Sequence, residues 1–128
     1  MEVPLRAALL AWLRADPALA ALNGVSEEMP VRAALPWLAI ATSASADWSC
    51  KTALGREVRL ALELHARGDR PDAAGDLVAA IEARIAALPR DQPGFTVVTA
   101  QFLRARVEQQ GESRRAILLE YRFRLLAD

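Results

Sequence analysis

The chain has 128 residues, of which 53% are hydrophobic and only 5% aromatic, and its formal net charge at pH 7 is zero. A chain of this length is large enough for one aliphatic core, so residues 1–128 are expected to form a single domain. The balanced charge argues against a general nucleic-acid binder, which would carry a basic excess, and the single cysteine excludes an internal disulfide or a cysteine-based metal cluster.

The N-terminal segment is predicted to be an amphipathic helix. Pro4 suits a first helical turn, where its missing N–H is not needed. The apolar stripe repeats every three or four residues and consists of Leu5, Leu9, Trp12 and Leu13. Charged residues interrupt the apolar stretch, which excludes a secretory signal. No apolar run is long enough to span a bilayer, so we expect folding in a reducing cytoplasm and no membrane partner.

A break and a weak strand signal follow this helix. Asp16 is predicted to cap a short turn that begins at Pro17. Residues 25–34 are predicted to be a loop with a short edge strand, because Pro30 cannot donate a hydrogen bond to a ladder. The sequence "LPWLAIA", residues 35–41, then predicts a strand.

A long polar connection leads into a clear strand. Residues 42–55, "TSASADWSCKTALG", show neither helical nor strand periodicity. In residues 57–65, apolar and polar side chains alternate strictly, which is typical of a half-buried antiparallel strand. The connection is therefore predicted to form an extended β-hairpin arm. Loops of this length are usually functional or mobile.

The second half of the chain predicts one helix and two strands. The helix begins at Pro71 and stops at Pro89, and its buried face is predicted to be Ala74, Leu77, Val78, Ile81, Ile85 and Leu88. Residues 95–107 predict a strand whose later part turns polar, and residues 117–125 alternate cleanly. The order of elements predicts an α+β fold of two layers, with a mainly antiparallel sheet and both amphipathic helices on one face.

The residues best suited to catalysis are not predicted to meet. Ser49 and Cys50 lie in the polar connection, and His65 lies at the far end of the following strand. Catalysis needs a nucleophile and a base within hydrogen-bond reach. The acids lack the DxDxDG and HExxH spacings of metal sites, and the glycines are isolated. We therefore predict no catalytic, metal-binding or cofactor-binding residue, and an outward-facing His65.

The three tryptophans receive different interpretations. Trp12 and Trp37 lie on periodic apolar faces and are predicted to be ordinary core residues. Trp48 stands in a small polar loop, where it could either fold back against the core or anchor a partner protein. Both alternatives stay open, because tryptophan is common in cores and also at interaction hot spots.

Arginine side chains gather on the last two strands and their turn, and they comprise Arg104, Arg106, Arg114, Arg115, Arg122 and Arg124. A solvated sheet face balanced by Glu108, Glu112 and Glu120 explains them, and so do salt bridges to a neighbouring subunit. Contact with DNA phosphates is a weaker alternative, because the net charge is zero.

The arrangement of segments resembles a known family. An N-terminal "LRAALLAWLRADPALAALNG" precedes "LPWLAIATSASADWSCKTALGREVRLALELHARG", a helix "AAGDLVAAIEARIAAL", the strand "GFTVVTAQFLRARV" and a terminal "GESRRAILLEYRFRLL". In order and spacing, this chain resembles the small tail terminator (tail-completion) proteins of siphophages and of phage-derived gene transfer agents. The resemblance spans nearly the full chain, although no single motif is diagnostic.

The resemblance implies a structural virion protein. Members of this family form a hexameric ring at the head–tail junction, which ends polymerisation of the tail tube and docks the head-tail connector or stopper protein. DNA would pass through the ring without sequence-specific binding, and the particle would be assembled in the bacterial host cytoplasm. The alternatives are a head-side connector or stopper protein of the same particle, a small cytosolic regulatory or ligand-binding domain, and an enzyme that uses Cys50 or His65.

Two sets of residues are candidates for these contacts. The partner-docking loop is predicted to use Asp47, Trp48 and Lys51. The ring interface is predicted to use Arg56, Arg104 and Arg122.

Overall fold

The computed structural model describes residues 1–28, 34–111 and 113–128. In chain order the elements are helix α1 (Glu2–Arg14), a 3-10 turn (Pro17–Leu19), strands β1 (Val25–Ser26), β2 (Trp37–Asp47) and β3 (Gly55–Arg67), helix α2 (Pro71–Ala86), and strands β4 (Asp91–Gln92), β5 (Phe95–Gln109) and β6 (Arg114–Ala127). None of the helices described is long and apolar enough to cross a membrane. The predicted α+β class is confirmed.

One six-stranded sheet organises the fold, in the order β1-β2-β3-β6-β5-β4. Strand β1 runs parallel to β2, and every other neighbouring pair is antiparallel. The longest uninterrupted ladder joins β3 to β6, from Gly55 opposite Leu126 to Arg67 opposite Arg114. The prediction of a mainly antiparallel sheet is therefore correct.

The core lies between the helices and one face of the central strands. The alternation predicted for β3 and β6 is confirmed, since the side chains on this face are almost fully buried: Val58, Leu60, Leu62, Leu64, Leu119, Tyr121, Phe123 and Leu125. The leucines of α1 pack on them, and Ile81 and Ile85 of α2 complete the layer. The predicted turn cap also forms, because Asp16 Oδ1 accepts a hydrogen bond from the Ala18 N–H at 3.1 Å.

The predicted polar connection is mostly strand. Residues 42–47 belong to β2, so the hairpin connection spans only residues 48–54. From Ala41 to Asp47 every residue of β2 is exposed, so the sequence of this segment shows no alternation of apolar and polar residues. The register also shifts between Ile40 and Thr42, where a bulge interrupts the pairing with β3. The long β-hairpin arm itself is confirmed.

Three smaller predictions are modified. The edge strand predicted within residues 25–34 is limited to Val25–Ser26 in the described residues, and Pro30 lies outside them, as does Glu112. The turn predicted after α2 contains the two-residue strand β4. Trp12 is half-buried and not a core residue: it joins the helices, since its indole N–H donates to the Arg84 carbonyl at 2.7 Å and the Arg84 guanidinium lies 3.4 Å from its ring centroid.

Two glycines provide a matched test of this packing. A Cβ added at Gly55 would lie 2.3 Å from the Trp48 carbonyl oxygen, whereas one added at Gly75 would meet nothing within 4 Å. We expect Gly55→Ala to lower the free energy of unfolding by about 2 kcal/mol, because backbone atoms must move. Gly75→Ala, on the exposed side of α2, should raise it by about 0.5–1 kcal/mol. Urea unfolding measures both, and equal effects would contradict this account of the hairpin base.

Candidate functional site

The candidate nucleophile and base lie at opposite ends of β3. Cys50 is exposed in the hairpin connection, and His65 lies near the last residue of the strand. From Gly55 to His65 the strand extends about 33 Å. A hydrogen bond with Thr52 lowers the pKa of the Cys50 thiol, but His65 is too distant to act as its base. The structure therefore keeps these two residues apart.

His65 is buried, which corrects the expectation of an outward histidine. Its side chain does lie on the sheet face away from the helices, but only 1% of the residue is exposed. Trp37 covers it, with ring centroids 4.0 Å apart and planes 15° apart, so Trp37 packs on this far face. Nε2 of His65 lies 2.6 Å from Glu63 Oε1. In residues 1–28, 34–111 and 113–128, no group of three or more ligating side chains could hold a metal ion.

The three residues of the predicted docking loop lie together at the end of the β2–β3 hairpin, which we call the hairpin end (residues 47–54). Asp47 accepts a hydrogen bond from the Ser49 hydroxyl at 2.6 Å, and that hydroxyl accepts one from the Gly55 N–H at 2.9 Å. Lys51 is exposed. These internal bonds make the hairpin end a defined surface.

Trp48 neither enters the main core nor extends fully into solvent, so it lies between the two alternatives that the sequence left open. The residue is half-buried, and the Arg124 guanidinium lies 5.5 Å from the centroid of its ring. It folds back onto the sheet face away from the helices, so it does not enter the main core. The nearby Leu54 is 72% exposed, and the sequence analysis missed it. The sequence feature that could have identified Leu54 is that it is a single large apolar residue in a polar connection.

The arginine-rich sheet face is largely paired within the chain. Arg104 hydrogen-bonds both carboxylate oxygens of Glu120, one at 3.2 Å, and this contact lowers the pKa of Glu120. Arg122 and Arg124 share Glu57, at 3.7 and 3.1 Å. These pairs agree with the interpretation of a charge-balanced face, although Glu57 was not among the partners that the sequence suggested.

The structure does not bring the three predicted ring-interface arginines together. Arg56 lies at the hairpin base, 3.3 Å from a Glu2 carboxylate oxygen and 4.0 Å from one of Asp47. Arg122 lies on the central strand β6, and Arg104 lies on the outer strand β5. A role for them in contacts between copies stays a prediction, and Arg104 is the best placed of the three.

Two outer strands have open edges in the described residues. Strand β1 covers β2 only at Leu38 and Ala39, so the edge from Ile40 to Asp47 is unpaired there. Strand β4 covers β5 only at Phe95 and Thr96, so most of β5 is also open. Three large apolar residues of β5 are exposed: Val98 with 44%, Phe102 with 44% and Val107 with 57% exposure. Such edges readily pair with another chain.

Comparisons with known proteins agree with this architecture. A family model described as "Tail completion protein gp17" matches residues 7–126. Among solved structures, a chain in "Virion of native gene transfer agent (GTA) particle" matches with a TM-score of 0.80 and 25% sequence identity, covering 98% of this chain and 96% of that chain. Among curated proteins, none matches.

Tyr121 reports on the packing beneath the open strand β5. Its ring contacts Phe102 edge-on, with centroids 5.6 Å apart, and burial, followed by the charge of Glu82, raises its pKa to about 12. The unfolded value is about 10, so the resulting stabilisation is complete below pH ~10 and is lost as the pH rises towards the folded value. As the chain has one tyrosine, phenolate absorbance measures this pKa directly. A folded-state midpoint near that of urea-unfolded chain would contradict the burial.

Proposed function

Because the chain belongs to the family of tail completion protein gp17, we propose that it is a structural protein of a phage-like virion that forms a hexameric ring at the head-proximal end of the tail tube. One side of the ring ends tube polymerisation, and the other docks the connector or stopper below the head. The protein acts through repeated binding surfaces, without bond-making chemistry of its own. The solved structure of a gene transfer agent virion, which contains a chain with this fold, supports this location.

The open edges on opposite sides of one sheet are the observation that carries the ring proposal. Residues that pair across neighbouring strands form a row across the sheet, and one such row runs from Ala44 of β2 through Arg59 and Arg122 to Gln101 of β5. The two open edges therefore lie at the same height along the strand direction. Strands β2 and β5 run in opposite directions. When copies related by rotation stand side by side, β5 of one copy therefore meets β2 of the next as an antiparallel pair. A head-to-tail contact of this kind closes into a ring when its rotation angle is right.

The dimensions of the chain are compatible with a channel for DNA. A domain of this length has a radius of gyration of about 14 Å and so a diameter of about 36 Å as a uniform sphere. Six such spheres in a closed ring enclose a hole about one sphere wide. Duplex DNA, about 20 Å across, passes through that hole.

The sheet face away from the helices is suited to line this channel. The helices occupy the opposite face, and a ring has more room for them on its outside. Two arginines of the far face have carboxylate partners, Arg104 in Glu120 and Arg124 in Glu57. Paired guanidiniums hold phosphates weakly, because few counterions are released when DNA binds them. DNA therefore slides past this surface without being retained.

The hairpin end provides a surface for axial docking. It lies at one end of the strands, whereas the β5–β6 turn lies at the other, so the two sides of the ring differ in chemistry. Leu54 presents apolar area, and Asp47 and Lys51 add one charge of each sign. An apolar centre with a polar rim is typical of protein interfaces. We assign the hairpin end to contact with either the tube or the connector.

Loss of the gene is the direct test of this function. In a particle-producing strain that lacks it, electron microscopy should show overlong tubes or tails without heads, because nothing ends or docks the tube. A head-side stopper would instead give tails of normal length, separated from heads that leak DNA. Complementation by the wild-type gene is the control. Normal joined particles in the deletion strain would refute the proposal.

The docking surface is tested by Leu54→Asp. A buried charge at an interface centre weakens binding by about tenfold or more, so complemented particles should join heads to tails at least tenfold less often, while the purified variant associates with itself as the wild type does. Ala79→Asp, on the exposed side of α2, is the matched control and should join normally. Equal joining by both variants would remove the hairpin end from the docking surface.

A further inference from the structure

We propose that an acidic groove along the open edge of β2 receives the arginine-bearing strand β5 of the next copy of this chain. The groove has a volume of about 750 Å³. This inference rests on the proposed ring and names the charges that would orient its subunits.

The groove is built by three parts of the chain. Its floor is the edge of β2 from Ala39 to Ser45, α1 supplies Glu2 and Arg6 on one side, and the segment after β1 supplies Glu27 and Glu28 on the other. Glu63 completes the lining. The described residues thus place four carboxylates and one guanidinium around the groove, and three of the carboxylates have partners within the chain: Glu2 with Arg56, Glu27 with Arg6 and Glu63 with His65. Arg6 is already engaged, because it hydrogen-bonds Glu27 and the Ser43 hydroxyl.

Strand β5 has the complementary composition. On the face away from the helices it carries Arg104 and Arg106, whose side chains are 65% and 55% exposed. On the other face it carries Phe102 and Val107, two of the three exposed large apolar residues of this strand. Arg106 also lies 3.4 Å from Glu108, but an exposed pair of this kind contributes little and exchanges readily.

The register of the sheet places these groups at matching heights. Arg106 lies in the row that continues through Leu118 and Glu63 to Ala39. A neighbouring copy at the same height therefore presents Arg106 one position beyond the open edge, at the end of β1, where Ser26 already pairs with Ala39 and where Glu27 and Glu28 line the groove. Phe102 lies in the row that continues through Tyr121 and Leu60 to Ser43, so the first turns of the neighbour's α1 cover it. Apolar and charged contacts form together on the two faces of one added strand.

The charges also select one mode of association. Two β2 edges would bring their carboxylates together, and two β5 edges would bring their guanidiniums together. Like charges at close range oppose association, so a two-fold symmetric dimer is disfavoured at both edges. The head-to-tail contact pairs the arginines of β5 with the carboxylates of the groove. That contact is also the one that repeats around a ring.

Paired charge reversals test the groove. Arg106→Glu and Glu28→Arg should each weaken self-association of the purified full chain by about tenfold per contact, because an attraction becomes a repulsion. Both changes in one chain should restore association. Mixing the two single variants should also restore association, since strand β5 of the Arg106→Glu variant meets the groove of the Glu28→Arg variant. Arg90→Glu, at an exposed site outside the groove and β5, is the charge-matched control, and sedimentation velocity at low and high salt gives the readout.

A cross-linking experiment covers assembly that occurs only on the tail. Glu28→Cys and Arg106→Cys in a Cys50→Ser chain should form disulfides between copies in complemented particles, giving a ladder on non-reducing gels. Chains with only one of the two new cysteines should give no ladder. If the mixed single variants do not regain self-association, or if particles of normal form give no ladder, the proposed groove contact is wrong. If the deletion strain instead makes normal particles while the purified copies still pair, the tail function fails and the groove stands.

Discussion

The mismatch in length between the helices and the strands is the constraint on which the rest of this structure depends. Helix α2 has 16 residues and β6 has 14, but a helix rises about 1.5 Å per residue and a strand about 3.3 Å. The helix therefore spans about 24 Å and the strand about 46 Å. The central ladder of β3 and β6 is stabilised along the part that the helices cover. Beside this ladder, the outer strands β2 and β5 have open edges in the described residues.

This constraint also decides which elements the sequence reveals. Strands β3 and β6 bury one face, so their side chains alternate and both could be predicted, as could the helices with their apolar stripes. Residues 42–47 of β2 are exposed on both faces, so nothing selects apolar residues at every second position. The bulge after Ile40 further breaks the period. The segments that were hardest to predict are therefore those that lack a covering layer in the single chain.

The same reasoning separates the predictable part of the site from the rest. A polar connection between two strands is visible in the sequence, which is why Asp47, Trp48 and Lys51 could be placed on one loop, whereas their role in docking stays a prediction. The three arginines that were grouped by residue type do not lie together, because the position and partners of each depend on the register of the strands. Glu57 meets Arg124 only because β3 and β6 pair at those two positions. The partner of a charged side chain on a sheet depends on which residues pair across neighbouring strands, and a single sequence does not show that pairing.

Strand edges and strand ends give such a protein two independent kinds of contact. In the proposed ring, edge pairing would act around the axis, and closure would use both edges of every copy, so that no lateral growth would remain. Contacts along the axis must then come from the ends of the strands, where the hairpin end and the β5–β6 turn differ in sequence and charge. A ring whose two sides do not fit each other binds one partner on each side and does not stack on itself. In the proposed function, termination of the tube would follow from this lack of fit, because the side turned away from the tube would offer no surface to another tube subunit.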